Sequence, residues 1–154
     1  MCHNIAKFEE HEVDGKKQKV CVHRKGATRA LWPGNELIPR AYRGVGQPVI
    51  IPGSMNTASY LLCGGGGSRK TFGSSCHGAG RVMSRAQAKR DFNSGDIMRQ
   101  MEGDGVDIQV AERGLLAEEY GKAYKDVDAV VRAVSDAGIS TIVAKMVPMG
   151  VIKG

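Results

Sequence analysis

The residues best suited to chemistry lie in one short glycine-rich run, SSCHGAGR. In that run His77 stands beside Gly78, and Arg81 follows three residues later. Small neighbours let a large ligand approach the imidazole closely, as nucleophilic or acid–base catalysis requires. A glycine-rich turn that leads into a helix also collects free backbone N–H groups, which bind phosphate. The pattern therefore predicts a phosphate site with His77 at its mouth.

A stripe of basic residues follows this turn. A helix is predicted over residues 82–92, and it places Arg81, Arg85 and Lys89 at four-residue spacing on one face. A solvated helix surface explains such a stripe equally well when the stripe stands alone. Because the stripe, the turn and His77 fall within thirteen residues, we favour a ligand site.

A second glycine-rich run is similar to a phosphate-binding loop but departs from it. Residues 64–71 read GGGGSRKT, which nearly matches the pattern GxxxxGK[ST]. Arg69 takes the place of the second glycine, and no helix signal follows Thr71. The pattern needs that glycine for close backbone approach and a helix aimed at the phosphate. We therefore predict a flexible surface loop at this position.

Cysteine and histidine side chains offer weaker candidates for metal binding. Cys2 and His3 open the chain beside Asn4 and combine soft and imidazole ligands that suit a transition metal. Cys21 and His23 share one face of a predicted strand, where ordinary packing explains them better than half of a metal site. The four cysteines lack CxxC spacing, so we predict cytosolic thiols rather than a disulfide framework or a zinc site.

Length and composition exclude several classes of protein. The 154 residues match one typical domain in size, and 42% hydrophobic with 25% charged residues argue against disorder. No apolar stretch reaches the roughly 18–20 residues of a membrane span, and no signal-peptide core follows Met1. The net charge of +6 is uneven, because residues 1–90 hold 15 basic and 5 acidic side chains while residues 91–154 hold 7 and 11. This asymmetry suggests a surface in the first part that faces a polyanion, but the charge by itself is explained equally well by solubility.

Strands outnumber helices in the predicted order, which favours an α+β fold. A hairpin is predicted to turn at Asp14-Gly15. Apolar residues recur at helical spacing over residues 126–137, with Asp126 as the cap and Gly138 as the end. The predicted strands cover residues 9–12, 18–23, 47–51, 57–63, 106–111 and 140–147. These elements have to position the His77 turn.

Several segments taken together resemble the RtcB family, the GTP- and manganese-dependent RNA ligases of tRNA splicing and RNA repair. The matching segments are CHNIA at 2–6, HRKGATRA at 23–30, GQPVIIPGSM at 46–55, GSSCHGAGR at 73–81, and the terminal run from Pro148 to Gly154. The resemblance covers the whole chain in order. It implies that residues 1–154 form the C-terminal third of a larger, strand-rich ligase domain, whose other metal ligands lie upstream.

The resemblance implies a reaction centred on His77. Its imidazole nitrogen would attack the α-phosphate of GTP, expel pyrophosphate and hold GMP as a phosphoramidate. Mn²⁺ would neutralise charge on the phosphate oxygens. GMP would then pass to an RNA 3′-phosphate, itself opened from a 2′,3′-cyclic phosphate. A 5′-hydroxyl RNA end would finally displace GMP and seal the strand.

The resemblance also implies roles for individual residues. His3 corresponds to a manganese ligand of the family. The implied nucleotide contacts are Asn4, Pro52, Gly53, Ser54, Met55, Ser59, His77, Gly78, Ala79, Gly80 and Lys153. Arg81 and Arg85 would face RNA phosphates, and Tyr124 would stack on guanine.

Two segments depart from the family's pattern. Asn56 replaces the usual glycine after the PGSM run, and residues 64–70 replace a connection with few glycines. The implied upstream ligands are a larger difference, because His3 alone matches the family's metal set. We therefore expect the chain by itself to bind Mn²⁺ poorly.

Three functions stay open on the sequence. The leading hypothesis is a cytoplasmic RNA ligase that uses GTP and Mn²⁺ on tRNA halves or broken RNA, with an archease-type activating partner and with neither a membrane nor a DNA partner. A non-catalytic RNA-binding remnant would use the basic half without turnover. A phosphatase or phosphodiesterase would keep the phosphate handling without using GTP.

Overall fold

A computed structural model describes residues 4–153, which form nine β-strands and four α-helices. The strands are β1 (Asn4–Val13), β2 (Lys16–Lys25), β3 (Ala27–Arg29), β4 (Pro48–Ile51), β5 (Ser59–Gly64), β6 (Ser74–Cys76), β7 (Asp107–Val110), β8 (Ser140–Met146) and β9 (Gly150–Lys153). The helices are α1 (Arg85–Asp91), α2 (Ser94–Gly103), α3 (Gly114–Glu118) and α4 (Val127–Asp136). This mixture agrees with the predicted α+β class. Within the described residues, no helix has the length and apolar character that crossing a membrane requires.

Strands β1 and β2 form an antiparallel hairpin that is longer than the predicted one. Asp14 and Gly15 make its turn with φ values of 51° and 73°, the left-handed conformations that a two-residue type I′ turn needs. The register pairs Asn4 with Lys25 at the open end. That end therefore brings the first described residue next to the segment that leads into β3.

A buried ion pair fastens the hairpin to the segment before His77. The guanidinium of Arg24 donates to both carboxylate oxygens of Glu9, at 2.9 and 2.7 Å. It also donates to Ser74 Oγ at 2.9 Å and to the carbonyl of Phe72 at 2.8 Å. The side chains of Arg24 and Glu9 are only 3% and 7% exposed. The start of β6 is thus held in place by the hairpin.

The first hydrophobic core lies between helix α4 and the antiparallel sheet β4–β5–β8. It contains the buried side chains of Ala30, Val49, Ile51, Ala58, Tyr60, Leu62, Val127 and Val131. Helix α4 begins at its predicted cap, because the Asp126 carboxylate accepts a hydrogen bond from the N–H of Asp128 at 2.9 Å. Gly138, with a φ of +65°, follows its last turn. The strand and helix patterns of this core are read correctly from the sequence.

The second core gathers helices α2 and α3 around the parallel strand pair β7–β9. Its buried members are Met55, Ile97, Met101, Val106, Leu116, Ala117 and Tyr120. Strand β9, which the sequence pattern does not separate from β8, pairs with β7 and turns Val151 toward this core. Residues 150–153 therefore pair with β7 rather than with the sheet that β8 completes.

The glycine-rich run at residues 64–71 is packed, so the prediction of a flexible loop is wrong. Residues Gly66–Thr71 form a 3-10 helix, and Ser68 within it is fully buried. A Cβ on Gly65 would lie 2.4 Å from the carbonyl oxygen of Gly138. Glycine is needed here because the run lies directly against the backbone that follows α4.

The single tryptophan, Trp32, connects this run to the hairpin. The guanidinium of Arg69 lies over the indole, 4.5 Å from its ring centroid, in a cation–π arrangement. The imidazole of His11 approaches the same indole edge-on, with ring centroids 6.3 Å apart. The residue that breaks the phosphate-loop pattern, Arg69, therefore packs on an aromatic ring.

The helix predicted over residues 82–92 begins later than expected. Helix α1 begins at Arg85 because the side chain of Ser84 caps it. Arg81 lies outside the helix, in an isolated β-bridge. The predicted stripe is therefore not one helix face, and the turn after His77 does not lead directly into a helix N-terminus.

Candidate functional site

A cavity of about 360 Å³ lies where two glycine-containing turns face each other. One turn is residues 52–54 and the other is residues 77–80, and a Cβ on Gly78 would lie 3.9 Å from the carbonyl oxygen of Pro52. The lining residues are Pro52, Gly53, Ser54, Thr57, His77, Gly78, Ala79, Gly80, Arg81, Glu119, Tyr124, Lys125 and Val127. Most of the site residues implied by the resemblance therefore meet in one place.

The turn at residues 52–54 is held by side chains that follow it. The N–H of Gly53 donates to Ser59 Oγ at 3.0 Å, and the N–H of Ser54 donates to Thr57 Oγ1 at 2.7 Å. A Cβ on Gly53 would lie 2.1 Å from the carbonyl oxygen of Ala58, so this position accepts only glycine. The turn is a rigid wall whose amides are already engaged, and Ser59 supports it from outside the lining set.

Met55 and Asn56 attach this turn to the second core. Met55 is only 6% exposed and packs among the residues of that core, so its side chain serves packing. Asn56 Oδ1 accepts a hydrogen bond from the N–H of Gly121 at 2.8 Å. The departure from glycine at position 56 thus adds a connection between the turn and the segment before Tyr124.

His77 directly follows β6, which pairs with β3. Gly26, between β2 and β3, has a φ of +70°, and a Cβ on it would lie 3.8 Å from His77 Nε2. The imidazole therefore lies beside the backbone at the open end of the β1–β2 hairpin. Glycine at position 26 gives both the left-handed backbone and the room beside the ring.

The proposed metal and nucleotide residues at the start of the chain are only partly described. His3 lies outside residues 4–153. Asn4 stands opposite Lys25, one residue before Gly26, and its Oδ1 lies 2.5 Å from His23 Nε2. Asn4 does not line the cavity but belongs to the strand end nearest to His77. Among residues 4–153, no group of three or more His, Cys, Asp or Glu side chains could hold a metal ion.

Arg81 lines the cavity and has a fixed orientation. Its Nε donates to the carbonyl of Met83 at 3.1 Å, and its Nη1 donates to the hydroxyl of Tyr124 at 2.8 Å. The guanidinium also lies over the Tyr124 ring, 4.7 Å from the centroid. Its Nη2 is buried and has no hydrogen-bond partner within the described part of the chain. Arg81 therefore lines the cavity with a side chain whose Nη2 is buried and unpaired within the described residues.

Glu119 is a carboxylate of the cavity that the sequence analysis missed. Its Oε2 accepts a hydrogen bond from the hydroxyl of Tyr124 at 2.7 Å, and its Oε1 lies 4.0 Å from Arg81 Nη1. Burial and the neighbouring Glu119 both raise the pKa of Tyr124, so the phenol stays protonated at neutral pH. Glu119, Tyr124 and Arg81 thus form one hydrogen-bonded group on the cavity wall.

The remaining residues of the predicted basic stripe are paired on the surface. Arg85 Nε lies 3.4 Å from Glu118 Oε2, and Lys89 Nζ lies 2.5 Å from Glu118 Oε1. Glu118 raises the pKa of Lys89 through this hydrogen bond. Neither Arg85 nor Lys89 lines the cavity, and the side chain of Arg85 is 69% exposed. The acidic pair at 118–119, in the acidic half of the sequence, is the signal that could have indicated these partners.

Lys153 lies apart from the cavity in the described structure. It ends β9, opposite Val110, and its carbonyl accepts a hydrogen bond from the N–H of Ala111 at 2.8 Å. It is not among the lining residues of the cavity. Residues Thr57, Lys125 and Val127 do line it and were not predicted.

Sequence comparison identifies the group of proteins to which the chain is similar. A family profile described as "tRNA-splicing ligase RtcB" matches residues 1–154. The chain belongs to the RtcB family. The family prediction made from the motifs is confirmed.

Curated relatives extend well beyond the matched region. A protein of Thermococcus kodakarensis named tRNA-splicing ligase RtcB is 58% identical over 155 residues, which is the whole of this chain and 32% of the relative. A tRNA-splicing ligase RtcB of Pyrococcus horikoshii is 57% identical over 18% of its length. An RNA-splicing ligase RtcB homolog 1 of Entamoeba histolytica is 52% identical over 30% of its length. The chain spans about a third or less of the length of these relatives.

Proposed function

We propose that this chain supplies the guanylyl-accepting part of an RNA ligase. The ligase would be GTP- and Mn²⁺-dependent and would join RNA 3′-phosphate or 2′,3′-cyclic phosphate ends to 5′-hydroxyl ends. The observation that carries the proposal is the meeting of His77, two glycine-containing turns and Arg81 in one cavity of about 360 Å³, in a chain of the RtcB family.

The first step would form a covalent histidine–GMP adduct. An imidazole nitrogen of His77 attacks the α-phosphorus of GTP, the bond between that phosphorus and the bridging oxygen breaks, and pyrophosphate leaves. The attacking nitrogen is the unprotonated one, and the proton on the other ring nitrogen is lost to solvent once the phosphoramidate has formed. Gly78 and Gly80 keep the ring approachable, because a turn with little side-chain bulk surrounds it.

Arg81 and Tyr124 would hold the nucleotide during this step. The buried Nη2 of Arg81 has no partner in the described residues, and a phosphate oxygen is the acceptor that a guanidinium fork suits best. The ring of Tyr124, whose hydroxyl is fixed by Glu119, offers a face on which a base can stack. The guanidinium of Arg81 already lies over the Tyr124 ring, so a base would stack on the opposite face, in the role that the family resemblance implies for Tyr124.

The reaction would also need a manganese ion, and its second half would need RNA. Residues 4–153 contain no cluster that could hold the ion, so a complete ligase would need His3 and further ligands outside the described residues. Archease would be an activating partner, as the family resemblance implies.

The test is transfer of label from GTP carrying a labelled α-phosphate, in the presence of Mn²⁺. Two proteins are compared: this chain alone, and a full-length chimera in which the chain replaces the matched third of the Thermococcus kodakarensis relative. We expect acid-labile label on the chimera, little on the chain alone, and none on the His77→Ala chimera. A Lys16→Ala chimera, changed at the far hairpin tip, should label like the parent. Strong labelling of the His77→Ala chimera would refute the nucleophile.

A second function, non-catalytic RNA binding, is suggested by the basic first part of the sequence, since residues 1–90 hold 15 basic and 5 acidic side chains. Salt-dependent RNA binding by both proteins, with no label on the chimera, would favour this function. Labelling of the chimera would exclude it.

A further inference from the structure

Helix α1 carries two exposed cations next to the cavity that contains His77. Arg85 and Lys89 lie four residues apart in this helix, so they share one face. The side chain of Arg85 is 69% exposed and that of Lys89 is 51% exposed. Glu119 Oε1 lies 4.0 Å from Arg81 Nη1 and also 4.0 Å from Arg85 Nε. Because Arg81 lines the cavity, the face with Arg85 and Lys89 adjoins it, and a polyanion bound at the cavity can extend onto this face.

Both cations share one counter-ion, the carboxylate of Glu118. Lys89 Nζ lies 2.5 Å from Glu118 Oε1, and Arg85 Nε lies 3.4 Å from Glu118 Oε2. The Glu118 side chain is only 14% exposed, so it lies beneath the two cations. The hydrogen bond with Glu118 raises the pKa of Lys89, and the same hydrogen bond lowers the pKa of Glu118. All three groups are therefore charged at neutral pH.

The solvent side of both cations remains available for an anion. Arg85 is paired through Nε, and among residues 4–153 its two terminal nitrogens have no hydrogen bond or ion pair. The ammonium group of Lys89 has three donors, and Glu118 occupies one of them. An RNA phosphate can bind these groups from solvent, but the negative charge of Glu118 beneath them weakens the attraction. The attraction of this face for phosphate therefore depends on one carboxylate.

We propose that Glu118 limits the affinity of this face for the RNA backbone. The inference rests on the proposed function, because it takes RNA as the polyanion that reaches the cavity. The carboxylate cancels part of the positive potential of Arg85 and Lys89, so RNA binds in competition with ion pairs that already exist. A ligase releases a product that contains more phosphates than either substrate strand. A limit on backbone affinity next to the reacting ends favours that release.

The test measures binding of an unreactive RNA, a single strand with hydroxyl groups at both ends. Glu118→Gln removes the charge but keeps the size of the side chain and an oxygen acceptor for Lys89. Glu102→Gln removes the same charge from an exposed position of α2 and is the matched control. Both variants are made in this chain and in the full-length chimera. Equilibrium dissociation constants are measured at about 0.1 M and about 0.5 M salt.

We expect Glu118→Gln to lower the dissociation constant about threefold or more at the lower salt concentration. The gain should shrink at the higher concentration, because exposed charges are screened there. Glu102→Gln should change the constant by less than about 1.5-fold at either concentration. In a chimera that carries Arg85→Gln/Lys89→Gln, Glu118→Gln should lose most of its effect, since RNA phosphates no longer bind beside it.

Equal affinities of the Glu118→Gln and Glu102→Gln proteins in both contexts would overturn the proposal. Weaker binding by Glu118→Gln would also overturn it and would show that the carboxylate positions Arg85. Lys89→Gln gives a second measurement that does not alter Glu118. It should weaken RNA binding, and unchanged binding would mean that RNA does not contact this face. Because the RNA is unreactive and GTP is absent, none of these outcomes depends on labelling of His77.

Discussion

The guanidinium of Arg81 contains one nitrogen without a hydrogen-bond partner in the described residues, and this supports the proposed role of Arg81 in ligand binding. The guanidinium donates hydrogen bonds to the carbonyl of Met83 and to the hydroxyl of Tyr124, and it also lies over the Tyr124 ring. Its Nη2 is buried without a partner in the described residues. A buried donor left without an acceptor costs about 1–3 kcal/mol. A ligand oxygen that reached this nitrogen would remove that cost.

Replacing Arg81 with lysine tests this assignment. Arg81→Lys keeps the positive charge but loses the planar guanidinium. That group contacts Met83 and Tyr124 through Nε and Nη1 and still has Nη2 unpaired. In the chimera we expect guanylylation to fall about tenfold, which corresponds to about 1.4 kcal/mol. Arg85→Lys is the matched control, because Arg85 is exposed and pairs with Glu118, and it should label within about twofold. Equal losses in both variants would contradict a special role for Arg81.

Among the larger elements, the packed glycine run gives a clean test of backbone contact. Gly65 and Gly66 are adjacent, yet a Cβ on Gly65 would meet the Gly138 carbonyl oxygen at 2.4 Å while one on Gly66 would meet nothing within 4 Å. Gly65→Ala should therefore lower the free energy of unfolding by about 1–3 kcal/mol. Gly66→Ala should be neutral or stabilise by about 0.4–1 kcal/mol. Denaturant unfolding of the chain measures both, and similar losses in the two variants would mean that the run is not packed.

The anchor of the β1–β2 hairpin predicts a dependence of stability on pH. Burial acts to raise the pKa of Glu9, but hydrogen bonds from Arg24 and His11 outweigh it and leave that pKa below its ordinary value of 4.5. A carboxyl group whose pKa is lowered by folding stabilises the protein above its unfolded pKa. The stabilisation is lost as the pH falls through the folded pKa.

Glu9→Gln should therefore be destabilised most at neutral pH. The difference in unfolding free energy between the parent chain and this variant should shrink as the pH falls from about 6 to about 3. The exposed Glu10→Gln serves as the control. A difference that stays constant over this range would show that the ion pair with Arg24 does not act through the charge of Glu9.

At the scale of the whole molecule, the cavity is built from both cores. Val127 comes from α4 of the first core, while the turn at 52–54 is tied to the second core through Met55 and Asn56. Neither core alone would form the site. The shape of the cavity therefore depends on the packing between the two cores, and a substitution in either core can change that shape without touching the residues that line it.

Local patterns predicted the elements whose signals are local. The Asp14-Gly15 turn, the Asp126 cap and the valine spacing of α4 each lie within a few residues, and each is found in the structure. The His77 turn and the turn at 52–54 were also identified, although their meeting in one cavity depends on long-range packing. Residue type and spacing were sufficient for these features.

The features missed by the sequence analysis depend on contacts between distant residues. Glu119 belongs to the cavity wall through its contacts with Tyr124 and Arg81. The glycines at 64–67 predict a flexible loop, although the backbone of Gly138 lies against one of them. The prediction that Arg81, Arg85 and Lys89 share one helix face is wrong because Ser84 caps a helix that begins at Arg85, after Arg81. No local pattern reveals which distant backbone or carboxylate a residue will meet.

The single tryptophan, Trp32, allows the contact of the β1–β2 hairpin with the rest of the protein to be followed by intrinsic fluorescence. Because the sequence has one tryptophan, its fluorescence comes from a single known place, between the Arg69 guanidinium and the His11 ring. His11 Nε2 also lies 3.1 Å from Glu9 Oε2, so His11 contacts both the indole and the buried ion pair of Glu9 with Arg24. Release of the hairpin can thus be followed in real time on the unlabelled protein, separately from events at the cavity.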